Sequence, residues 1–140
     1  MKKKRIITLI LTAILLMSAV SVPTSATNVV TPRLNNTLVT TANFVIDDAD
    51  AMGNITTSYI GISGVTTSAT INVRLQKKTL VLFWTELYEW NHPCTGSSGS
   101  FNLGVRLEET GTYRILVTFT VYGTGGEPDV IEGEATDKYS

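Results

Sequence analysis

The stretch GTYRILVTFTVYG, residues 111–123, decides the fold. Every second residue from Tyr113 onward is apolar, which is the pattern of a β-strand that buries one face. The face that we expect to be buried carries Tyr113, Ile115, Val117, Phe119 and Val121. Tyr122 lies on the opposite face, which we expect to meet solvent.

Other segments repeat this alternation. SATINVRLQ (68–76) and SFNLGVRLE (100–108) each place four apolar residues on one face. Weaker β-prone segments lie near residues 41–47, 54–63, 80–90 and 129–135. About seven strands with turn signals every ~8 to 12 residues predict an all-β, antiparallel β-sandwich of the immunoglobulin/fibronectin-like kind.

Two of the weaker segments are ambiguous. In residues 54–63, Ile55 and Tyr59 favour one face and Ile60 and Ile62 the other, which predicts a bulge or a strand buried on both sides. In residues 80–90, Trp84, Leu87 and Trp90 recur every three residues, as on a helical face. The dense β-prone run before them favours a strand that kinks or bulges near Thr85, with tryptophans that cap or fill the core.

The position of Tyr113 behind Gly111-Thr112 predicts a particular contact. Greek-key sandwiches often hold a tyrosine near the start of the sixth strand, with its hydroxyl bonded to backbone a few residues upstream. Gly111 permits the turn that such a corner needs. The alternative is an ordinary inward-facing aromatic residue.

The first 26 residues have the layout of a secretory signal peptide. Lys2 to Arg5 are cationic, an apolar stretch of roughly 15 residues follows, and small residues end at Ala26. We expect cleavage near Ala26 and a secreted, extracellular product. The alternative is an uncleaved leader that tethers the domain to the membrane, and this is the only membrane contact that the sequence predicts.

The remaining chain suits a single domain. We divide it into an N-terminal arm, residues 27–36, which we expect to be frayed, and a sandwich, residues 37–140. Its seven Lys and Arg face twelve Asp and Glu, a net charge of −5, which argues against a nucleic-acid partner. Cys94 is the lone cysteine, so an intramolecular disulfide is impossible.

Three motifs suggest a relationship to known proteins. The chain contains LQKK (75–78), a W-x-x-L-x-x-W segment from Trp84 to Trp90, and GTYRILV (111–117). With its leader, this pattern resembles a family of small secreted Firmicutes proteins of unknown function. The resemblance implies a β-sandwich and export, and it brings no catalytic residue. The chain departs from that pattern at Cys94 and in its apolar run TLVLFW (79–84).

Residues with catalytic potential are few. His92 and Cys94 stand two positions apart in NHPC, but no third group is evident to orient the imidazole. We therefore predict a polar hairpin loop over residues 91–100. The pairs Glu108-Glu109 and Glu86/Glu89 lack the spacing across a cleft that glycosidases need and are interpreted as solvated charge. The expectation is a protein that is not an enzyme and needs no cofactor.

An acidic segment offers a metal hypothesis. Asp47, Asp48, Asp50 and Asn54 are close in sequence, and oxygen ligands at this density suit Ca²⁺. The pattern does not fit an EF-hand loop, because Met52 fills the fifth position and Tyr59 the twelfth. The alternative is that these are turn residues whose side chains bond their own backbone.

Outward aromatic residues favour binding over chemistry. Tyr88, Trp90 and Tyr122 are candidates, since exposed aromatic rings stack on sugars and anchor protein interfaces. The leading hypothesis is a binding or cell-envelope-associated module whose partner is a glycan or a protein. The alternatives are a carbohydrate-binding module that uses these aromatics and a secreted effector or bacteriocin-like protein.

Overall fold

The computed structural model describes residues 27–29 and 34–140, in which all regular structure is β-strand. The strands are β1 (Thr27–Val29), β2 (Thr37–Asp47), β3 (Met52–Gly61), β4 (Thr66–Thr79), β5 (Phe83–Thr95), β6 (Ser98–Arg106), β7 (Gly111–Gly123) and β8 (Asp129–Tyr139). They form two antiparallel sheets, with orders β1-β2-β3-β6 and β5-β4-β7-β8. The all-β, two-sheet prediction is confirmed, and residues 34–140 supply seven of the strands. The predicted signal peptide lies outside the described residues.

The core lies between the two sheets and follows the alternation in the sequence. In β7 the predicted inward face is buried throughout, from Tyr113 to Val121. Val117 stands opposite Val73 of β4 in the same sheet, and both side chains are almost fully covered. The facing sheet contributes large side chains from β2 and β3, chiefly Phe44, Ile55 and Tyr59. These side chains fill the space between the sheets.

Strand β3 is simpler than its sequence predicts. Ile55, Thr57 and Tyr59 point inward in strict alternation, whereas Ile60 is half-exposed. The pairing of β3 with β6 runs without interruption. The predicted bulge or double-sided burial in 54–63 is therefore wrong, and the irregularity lies in β2, between Thr37 and Val39.

Residues 80–90 form a strand, as favoured, but its details differ. Strand β5 begins at Phe83, so Leu80 to Leu82 form the turn after β4. The predicted bulge is present and lies at Leu87, two residues beyond Thr85, because Tyr88 opposes Leu75 and Glu86 opposes Gln76. Because Leu87 is an extra residue, side chains an even number of positions apart on either side of it lie on opposite faces of the sheet.

The predicted loop over 91–100 is wrong. Strand β5 continues to Thr95 and β6 starts at Ser98, so that only two residues connect them. Polar composition suggested a loop, but β5 is an edge strand of its sheet. An edge strand tolerates both polar residues and Pro93.

The N-terminal arm is ordered where it is described, which corrects the expectation of a frayed segment. Thr27–Val29 pairs with Thr40–Ala42 of β2. Further on, Asn36 is fully buried and its side chain donates to the Glu127 carbonyl at 3.1 Å. Buried hydrogen bonds fix this part of the arm, and composition gave no sign of them.

The connection between β6 and β7 contains the predicted corner. Gly111 adopts φ +147°, a value that favours glycine. The Tyr113 hydroxyl donates a hydrogen bond to the Glu109 carbonyl, four residues upstream. The ring itself is buried. The hydroxyl therefore ties the corner to its own strand.

The described residues contain no helix that is long and apolar enough to cross a membrane.

Candidate functional site

A row of ring-bearing side chains lies on the inward face of the edge strand β5. Tyr88, Trp90 and His92 alternate along it, opposite Leu75, Val73 and Ile71 of β4. These partners on β4 are fully buried, but β5 overhangs the rim of the sandwich, where cover is incomplete. As a result Tyr88 is 51% exposed while Trp90 packs partly against the core.

The rings are ordered by stacking on one another. Tyr88 and Trp90 stack with centroids 5.6 Å apart and planes at 26°. His92 lies nearly parallel to Phe101 of β6, at 4.6 Å. Stacked aromatic pairs gain more than their buried area alone provides. Stacking on Trp90 therefore fixes the orientation of the Tyr88 ring, so that its exposed surface is available to a ligand. We call Tyr88 and Trp90 the aromatic platform.

A cleft of about 270 Å³ opens at the Tyr88 end of this platform. Apolar walls come from Leu87, Leu107 and the ring of Tyr113. The bulge in β5 contributes to this wall because it adds Leu87 to the strand next to Tyr88. The polar lining consists of Lys77, Arg106, Glu108 and Glu109. Apolar walls with a few polar groups are typical of small-molecule sites.

The charges in the cleft are partly paired. The Lys77 ammonium donates to a Glu109 carboxylate oxygen, and this bond raises the pKa of Lys77 and lowers that of Glu109. Lys77 also lies 5.9 Å from the centre of the Tyr113 ring. Burial raises the pKa of Tyr113, so its hydroxyl stays protonated and keeps donating to the corner. The cleft therefore offers both donors and acceptors at neutral pH.

The sequence-predicted aromatics fall into two groups. Tyr88 and Trp90 are brought together, whereas Tyr122 is not part of their site. Tyr122 stands opposite Ser68 on the outer face of its sheet and is exposed. A ligand on the aromatic platform would lie on the opposite side of the sheet from Tyr122.

Trp84 neither caps nor fills the core, which corrects that expectation. It lies on the outer face of the sheet, where the Arg114 guanidinium sits 4.1 Å from its ring centre. Lys78 approaches the same ring at 5.8 Å. The bulge at Leu87 places Trp84 on the face opposite to Trp90, which the sequence spacing alone did not reveal.

The acidic segment behaves as a turn. Asp47 ends β2, and its carboxylate accepts the Ala49 N–H at 3.0 Å. Asp48 instead accepts from Ser140, at the end of the chain, while Asp50 lies in the turn and Asn54 in β3. Across residues 34–140 no three His, Cys, Asp or Glu side chains are placed to hold a metal ion. Of these contacts, the one made by Asp47 is the kind that the turn interpretation predicts.

His92 and Cys94 point to the same side of β5 but have separate surroundings. His92 lies flat on Phe101. The Cys94 sulfur packs near Gly99, where an added Cβ would come within 3.2 Å of it. Burial raises the pKa of the Cys94 thiol, which disfavours the reactive thiolate.

Sequence analysis did not single out Lys77 and Arg106 as site residues, nor did it place Tyr113 and Glu108 beside Tyr88. Lys77 and Arg106 come from strands of different sheets, and only packing brings them together. Leu87 carried one usable signal, since the alternation of β5 breaks at that residue.

Comparison with known proteins adds no identification. The chain matches no known protein family, no curated protein and no solved structure.

Proposed function

We propose that this chain is an exported, non-enzymatic binding module of the cell envelope, and that its site is the aromatic platform with the adjoining cleft. The ligand class that this site fits is a glycan. The observation that carries the proposal is the half-exposed Tyr88 ring, stacked on Trp90 and opening directly into a charged cleft.

The chemistry of the surface supports a sugar ligand. A sugar ring presents an apolar C–H face, which stacks on an aromatic ring, and hydroxyl groups around its rim. Arg106 and Glu108 line the cleft beside the platform and supply a donor and an acceptor for such hydroxyls.

The fold type belongs to the same proposal. We assign the sandwich to the fibronectin-like branch of the immunoglobulin-like folds. Two features support this assignment: β5 pairs with β4 and not with β6, and a tyrosine corner opens β7. Ile115 stands two residues after the tyrosine, where immunoglobulin domains carry a cysteine.

The test is binding to purified cell-wall polysaccharide and to soluble oligosaccharides derived from it. We expect the wild-type chain to be retained and Tyr88→Ala to weaken binding roughly tenfold, which corresponds to about 1.4 kcal/mol. Tyr88 suits the test because its exposed ring adds little to the core. Tyr122→Ala is the matched control, since it removes an exposed ring from the outer face.

The outcome decides between ligand classes. Equal retention of Tyr88→Ala and the wild type would show that the aromatic platform is not the binding site. Failure of the wild type to bind any of these polysaccharides would refute the glycan assignment.

A further inference from the structure

The turn between β4 and β5, together with the first residue of β5, carries the largest run of exposed apolar side chains in residues 34–140. Leu80 is 84% exposed, Val81 and Leu82 are each 80% exposed, and Phe83 is 63% exposed. Elsewhere in this part of the chain no more than two exposed large hydrophobic residues are consecutive. Soluble proteins rarely leave such contiguous patches uncovered without a partner. We call Leu80–Phe83 the apolar tip.

The apolar tip projects from the sandwich. Pairing between β4 and β7 ends at Lys77 and Tyr113, whereas β4 and β5 continue to pair through Lys78–Trp84 and Thr79–Phe83. The end of the hairpin is therefore a two-stranded ribbon, stabilised only by the pairing of β4 with β5. Its apolar side chains surround a projecting turn and line neither the cleft beside the aromatic platform nor the cleft between Arg74 and Glu132.

The backbone conformation of this turn is also unusual for the residue that it contains. Leu80 has φ +57°, in the left-handed region that favours glycine or asparagine. Leucine occupies a backbone position to which it is poorly suited, and its side chain gains little cover from the described residues. Neither local conformation nor core packing accounts for leucine at this position.

Cationic and aromatic groups surround the base of the apolar tip. From Lys77 to Thr85 the chain carries two lysines and no carboxylate. Lys77 is paired with Glu109, while Lys78 lies over the Trp84 ring at 5.8 Å. Tryptophan and lysine flanking an apolar segment are the groups that settle at the boundary between lipid headgroups and acyl chains.

We propose that the apolar tip inserts into the surface of a lipid bilayer, with Trp84 at the interface and Lys78 among anionic headgroups. This contact is separate from the aromatic platform and differs from the leader, the only membrane contact that the sequence predicted. Insertion removes the four apolar side chains from water. The contact attaches the domain to the membrane surface without spanning it.

The shape of the tip favours a bilayer over a protein. A stable protein interface involves about 20–30 residues on each side, whereas the tip offers four on a projecting turn. A second copy of this chain would present the same convex turn, and two convex turns cannot cover one another well. A bilayer adapts its shape and covers every side of the tip.

Acidic groups at the same end limit the contact to the tip. The turn after β2 contains Asp48 and Asp50 and lies against the end of β6, where Ala51 accepts the Leu107 N–H. These carboxylates would repel an anionic bilayer if the whole end of the sandwich lay on it. We therefore expect apolar insertion to dominate, and anionic lipid to strengthen binding through Lys78 only modestly.

The experiment measures binding of the full chain to vesicles of phosphatidylcholine, with and without an equal amount of phosphatidylglycerol. We expect the wild type to sediment with both kinds of vesicle, and Leu80→Ser/Leu82→Ser to lower the partition coefficient at least roughly tenfold. Val130→Ser is the matched control, because Val130 is an exposed apolar residue on β8. All variants carry the same N-terminal segment, so a difference in partition between them reports on the substituted residues.

A local readout places the contact. In a Trp90→Phe background Trp84 is the only tryptophan, and its emission should shift to shorter wavelength when vesicles are added. Lys78→Glu should weaken binding to the phosphatidylglycerol vesicles more than to the others. Equal partition of the double-serine variant and the wild type would overturn the proposal, and so would an unchanged Trp84 spectrum. Dimerisation that depends on the tip in the absence of vesicle binding would assign it to a second copy and also overturn the proposal.

Discussion

The backbone N–H of Asn36 donates to the carboxylate of Asp129 at 2.7 Å, and both residues are buried. The same carboxylate accepts the Asn35 N–H and the Thr37 hydroxyl, each at 2.9 Å. The Asn36 carbonyl in turn accepts the Ile62 N–H at 3.1 Å. These bonds join the start of β2, the start of β8 and the loop after β3. One end of the sandwich is closed by polar contacts and not by apolar packing.

Asp129→Ala should therefore destabilise the fold strongly. Three donors would lose their acceptor, two of them in buried groups, and each buried unsatisfied donor costs about 1–3 kcal/mol. We expect a loss of about 3 kcal/mol in the free energy of unfolding, measured by urea denaturation. Asp50→Ala, in an exposed turn, should change it by less than about 0.5 kcal/mol. Equal stability of the two variants would contradict a structural role for the Asp129 carboxylate.

Tyr113→Phe tests the corner. The substitution removes only the hydroxyl that donates to the Glu109 carbonyl and keeps the buried ring. We expect a loss of roughly 1 kcal/mol in the free energy of unfolding. Tyr122→Phe, in an exposed residue, is the control. A change near zero in Tyr113→Phe would mean that the corner bond adds nothing to stability.

Stability should decrease in alkaline solution. Burial raises the pKa of Tyr59 and of Tyr113 above the ordinary value of 10.0. Because the folded pKa exceeds the unfolded one, the protonated phenols stabilise the fold fully below about pH 10, and this contribution is lost as the pH rises through the folded pKa. Absorbance at 295 nm should show a phenolate signal that develops above pH 10.0 and is smaller in Tyr59→Phe and in Tyr113→Phe than in the wild type. A signal from these two residues that develops below pH 10 would contradict the burial of their hydroxyls.

The Cys94 thiol should react slowly with a disulfide reagent. Its pKa is raised by burial, and the thiolate is the reactive form. At pH 8 we expect reaction at least roughly tenfold slower in the folded chain than in urea. Gly99→Ala should increase the rate, because an added Cβ would lie 2.9 Å from the Tyr59 ring and 3.2 Å from the sulfur and would disturb their packing. A folded rate equal to the unfolded one would show that Cys94 is freely accessible.

Features of the fold that depend on neighbouring residues could be predicted from the sequence, whereas features that depend on contacts between distant residues could not. The inward faces of β4 and β7 were predictable because alternation of apolar residues is a local property with a period of two. The corner at Tyr113 was predictable for the same reason, since its donor and acceptor are four residues apart. Strand ends near 80–82 and 91–100 were misjudged, because apolar residues can occupy an exposed turn and polar ones an edge strand.

The candidate site was predictable only in part. Exposed aromatic residues on β5 were anticipated, but their faces depend on the bulge at Leu87, which shifts every later side chain by one position. Tyr88 and Trp90 therefore share a face that Trp84 does not. The cleft beside them also needs Arg106, which the other sheet supplies.

Sequence by itself determined that this chain builds a β-sandwich, because strands with one apolar face become stable only by burying those faces together. Tertiary structure alone decided what happens at the rims. There the pairing of distant residues places Asn36 on Asp129, joins Tyr88 to the cleft, and leaves Leu80–Phe83 in solvent. The physical reason is that core formation depends on a repeating local pattern, whereas the rims depend on which segments, many residues apart, come into contact.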